Sequence, residues 1–121
     1  MLSKLLTPEN VRPVRDEIYK VLFGKRTSEL LVQLRLPVEC LFDLDDEYLR
    51  QHMGEIALTA LDEIEEKICK MLKIVSPRGW QLLPMVKEVS VPVAEIYMAH
   101  AAGLKIDLLS GEMLEQDILS S

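Results

Sequence analysis

Four carboxylates crowd one short segment: Asp43, Asp45, Asp46 and Glu47 stand within "FDLDDE". Hard oxygen ligands at that density suit a divalent cation. The same residues also read as a helix start. Asp45 would cap it, while Asp46 and Glu47 would face the positive end of the helix dipole. The second reading explains all four without a metal. His52 and Glu55 stand three apart, which matches neither His-Glu-x-x-His nor Glu-x-x-His ligand sets. His100 falls near a predicted helix end, where an imidazole suits capping.

The two cysteines, Cys40 and Cys69, show no metal or redox spacing. Lys67 and Lys70 flank Cys69, which is the one argument for a lowered thiol pKa. A buried structural cysteine is the favoured reading. Both are expected as reduced thiols of a cytoplasmic protein rather than as a disulfide. No Gly-rich phosphate loop and no nucleophile elbow occurs, so catalysis is disfavoured and no cofactor is implied.

One nucleic-acid motif is weighed over residues 91–119. Ala99, Gly103, Leu104 and Leu109 fall roughly where a helix-turn-helix wants small and apolar residues. Its reading helix would then present Glu112, Glu115 and Asp117, and phosphates would repel them. The net charge of −6 points the same way. Residues 1–36 hold seven Lys/Arg against four Asp/Glu, and residues 37–121 hold seven against sixteen. Arg12, Arg15, Lys20, Lys25 and Arg26 could serve a polyanion but lack interleaved aromatics. The charge asymmetry equally suits packing between two copies.

The elements that must position these residues follow from composition and spacing. The 121 residues are 49% apolar but only 5% aromatic, the palette of aliphatic packed helices. No apolar run approaches a membrane span. Val14, Ile18, Val21 and Leu22 make a helical stripe between Thr7–Pro8 and Gly24. Residues 28–36 alternate as a strand would, yet a short helix stopped before Pro37 is the better fit. Pro84 is expected to break "WQLLPMVKEV", and a further helix should run 91–102 between Ser90 and Gly103. A last helix should begin at Ser110.

The strongest pattern is "EIALTALDEIEEKICKMLK". Ala57, Leu61, Ile64, Ile68, Met71 and Val75 recur at 4-3-4-3-4 spacing, the rhythm of helix-on-helix packing. A single helix over 45–74 would span about 45 Å, against a diameter of about 35 Å for a domain of this size. Either Gly54 breaks it or its overhang meets a second chain. Leu58, Cys69 and Leu72 form an apolar strip beside the core face and are the expected interface. The fold expected is a mostly α, compact single-domain bundle of about five helices over 1–121, with its central helix at roughly 55–74. The expected function is a non-catalytic protein–protein interaction module (a small regulator, adaptor or assembly factor), homodimeric and without a membrane. Two alternatives stand beside it, a DNA-binding regulator using the degenerate motif above and a small metal-dependent or thiol enzyme.

Overall fold

Apolar stripes became helices wherever start and stop signals framed them. The computed structural model describes residues 2–77 and 79–114. Helix α1 is the short Leu2–Leu5, and α2 runs Pro8–Phe23 with Gly24 as its left-handed C-cap at φ 75°. Helix α3 is Thr27–Gln33, so the ambiguous 28–36 stretch is helical. It stops at Arg35, whose φ of 58° ends the spiral before Pro37. A 3-10 turn over Val38–Phe42 leads to the single turn α4, Glu47–Arg50. The two long elements are α5, Glu55–Ile74, and α6, Gly79–Leu104.

The helix over 45–74 does break at Gly54, and the reason is local. Gly54 donates its N–H to the Leu109 carbonyl at 2.8 Å, so the helical ladder cannot pass through it. A Cβ at 54 would stand 2.8 Å from the backbone of Ser110 and Gly111. No other residue type fits there without moving a main chain.

Pro84 and Pro92 do not interrupt α6, contrary to the sequence expectation. Each proline frees one carbonyl four residues earlier, on Trp80 and Glu88. All four residues are solvent-exposed, so water satisfies what the ring displaces. Packing of α6 against both α2 and α5 outweighs the remaining penalty. Ser90 is not a cap but a fully buried residue, its hydroxyl donating back to the Val86 carbonyl at 2.6 Å.

From Lys105 the chain turns into a small hairpin. Ile106 bridges Met113, and the Asp107 carboxylate accepts from the Ser110 N–H and hydroxyl. The helix expected from Ser110 is therefore absent over 110–114, and the rest of it lies outside the described residues. The result is a mostly α helical bundle with one apolar core. Val14, Ile18 and Leu22 of α2 meet Leu61, Ile64 and Ile68 of α5 and Val86 and Val93 of α6 in it. No helix among the described residues is long and apolar enough to cross a membrane.

Candidate functional site

Charged side chains gather between α2, α5 and the 41–50 loop. Arg12, Arg15 and Tyr19 project from one side of α2 toward that loop. Arg12 ties four segments together. Its guanidinium meets the Asp46 carboxylate through two nitrogens at 3.0 and 2.9 Å, and donates to Thr27 Oγ1 at 3.2 Å. It also donates to the carbonyls of Leu41 at 3.0 Å and Asp43 at 2.8 Å. Asp46 is buried, and its second oxygen accepts the Tyr19 hydroxyl at 2.6 Å as well. Burial first, and then the Asp46 carboxylate, push the Tyr19 pKa well above its ordinary value.

A second cluster lies beside the first. Arg15 is 2% exposed and donates to Glu65 Oε2 at 3.0 Å, while Arg50 pairs with the same oxygen. Asp45 stands 3.8 Å from Arg15 and accepts the Ser3 hydroxyl at 3.0 Å. Burial opposes the charge on Arg50, but Tyr19 and Glu65 outweigh it and raise its pKa. This cluster floors an open cleft of about 930 Å3, walled also by Lys4, Cys69 and Lys73.

The cleft's chemistry is limited by its own pairing. A general base must be free to take a proton, and the Glu65 carboxylate already accepts from two guanidiniums. Cys69 faces the same space, but burial pushes its thiol pKa up, which disfavours the thiolate a nucleophile or ligand requires. Both cysteines are free.

The acidic run divides in the same way. Asp43, not Asp45, supplies the cap, accepting the N–H groups of Asp45 at 3.2 Å and Glu47 at 2.9 Å. Asp46 turns inward from a left-handed backbone at φ 54°. Among the described residues no group of three or more His, Cys, Asp or Glu is placed to hold a metal. His52 Nδ1 lies 3.0 Å from the Tyr48 carbonyl and its ring meets Tyr48 edge-on, while His100 is exposed. In the 91–119 motif, Ala99 and Gly103 lie exposed within α6 and Leu109 is buried.

The expected interface strip sits differently from a free surface. Cys69 is buried in the core, and Leu58 and Leu72 are half-buried against it. Large apolar exposure is found elsewhere: at Val32 and Phe42 around α3 and the 3-10 turn, at Met113 of the hairpin, and at the ends of α1, α5 and α6. At those helix ends Leu5, Ile74, Val75 and Trp80 are exposed, Ile74 by 80% and Trp80 by 76%. Spacing placed Val75 at the end of the core stripe, yet it is exposed because the helix stops at Ile74; Leu5, Ile74 and Trp80 lie at helix ends, outside that stripe. An apolar groove of about 520 Å3 runs between Val21 and Phe23 of α2, Met98 and Ala102 of α6, and Ile106 and Leu114 of the hairpin. Compared with known proteins, the chain matches no family model, no curated protein and no solved structure.

Proposed function

We propose that this chain is a non-catalytic protein–protein interaction module, of the regulator, adaptor or assembly-factor kind, with a further copy of itself as its first partner. One observation carries the reading. Arg12, Arg15, Arg50, Asp46 and Glu65 are paired with one another, while the only tryptophan of the chain stands exposed, as do Ile74 and Val75 a few residues before it. Tryptophan is the residue most enriched at energetic centres of interfaces, and an exposed apolar stretch of this kind marks contact surface. The contact surface proposed is this stretch rather than the Leu58–Cys69–Leu72 strip. Two free cysteines suit a reducing, cytoplasmic setting.

The test compares the wild type with a Trp80→Ser, Ile74→Asp double variant as bait in the native source, with captured proteins identified by mass spectrometry. Both positions are exposed, so thermal melting should be unchanged within about 0.5 kcal/mol. The expected result is capture of defined proteins, this chain included, that the double variant loses at least tenfold. Equal capture by both baits would place the contact surface elsewhere.

A further inference from the structure

We draw no further inference here: the strongest candidate, the face of α6 on which Trp80, Pro84, Met98 and Ala102 are exposed, carries nothing, because nothing in the structure shows what covers it and its charges, Lys87 beside Glu88 and Glu95, name no partner.

Discussion

Replacing Glu65 by Gln is expected to cost about 3–5 kcal/mol of unfolding free energy. The substitution keeps the shape and removes the charge that two guanidiniums share. Arg15 is almost wholly buried and Arg50 mostly so, and neither has another close carboxylate: Asp45 approaches Arg15 only to 3.8 Å and is half in water. The cost is that of leaving buried positive charge uncompensated, which exceeds the net worth of the pair itself. Urea denaturation should show a lower midpoint with an unchanged slope, the sign of altered stability rather than altered compactness. A loss under about 1 kcal/mol would mean that water reaches the cluster and screens it as at a surface pair.

Asp46→Ala should be comparably damaging, by about 3 kcal/mol or more, since it too strands a guanidinium and a buried hydroxyl. Arg12 would lose its carboxylate and the Tyr19 hydroxyl its acceptor. The backbone adds to this, because φ is 54° and alanine pays for a left-handed conformation that aspartate and asparagine tolerate better. Asp46→Asn should therefore recover part of the loss by keeping the backbone and an acceptor for Tyr19. Thermal melting should rank wild type above Asn and Asn above Ala. If Asn and Ala melt together near the wild type, the Arg12–Asp46–Tyr19 tie is not what fixes the 41–50 loop.

Spacing made the helices legible because their stripes, caps and stops act within a few residues. The 55–74 helix and the Pro8–Phe23 helix followed from such local signals, whereas the break at Gly54 was one of two alternatives that helix length against domain size left open. Pro84 and Pro92 were misleading for the same reason. Their penalty is local, but packing along all of α6 decides the outcome. The paired charges were half legible. Arg15 falls in the stripe of Val11, Ile18 and Leu22, and Glu65 in that of Leu61 and Ile68. A charged residue inside each of two core stripes is a signal for a buried pair. Asp46 gave no such sign, since only the fold brings Arg12 and Tyr19 to it. The Leu58–Cys69–Leu72 strip was correctly seen as apolar, but helical spacing cannot say that Cys69 is buried and the others half covered. The exposed end with Trp80 depends on where two chain segments meet, which periodicity does not encode.

The single tryptophan makes the central claim directly measurable, because Trp80 is both the only indole and the centre of the proposed contact. Acrylamide quenching of its fluorescence should be that of an open indole in dilute protein. As concentration rises through the association range, quenching should fall and emission should shift to the blue. Wild-type fluorescence that stays open to acrylamide at all concentrations would contradict the account.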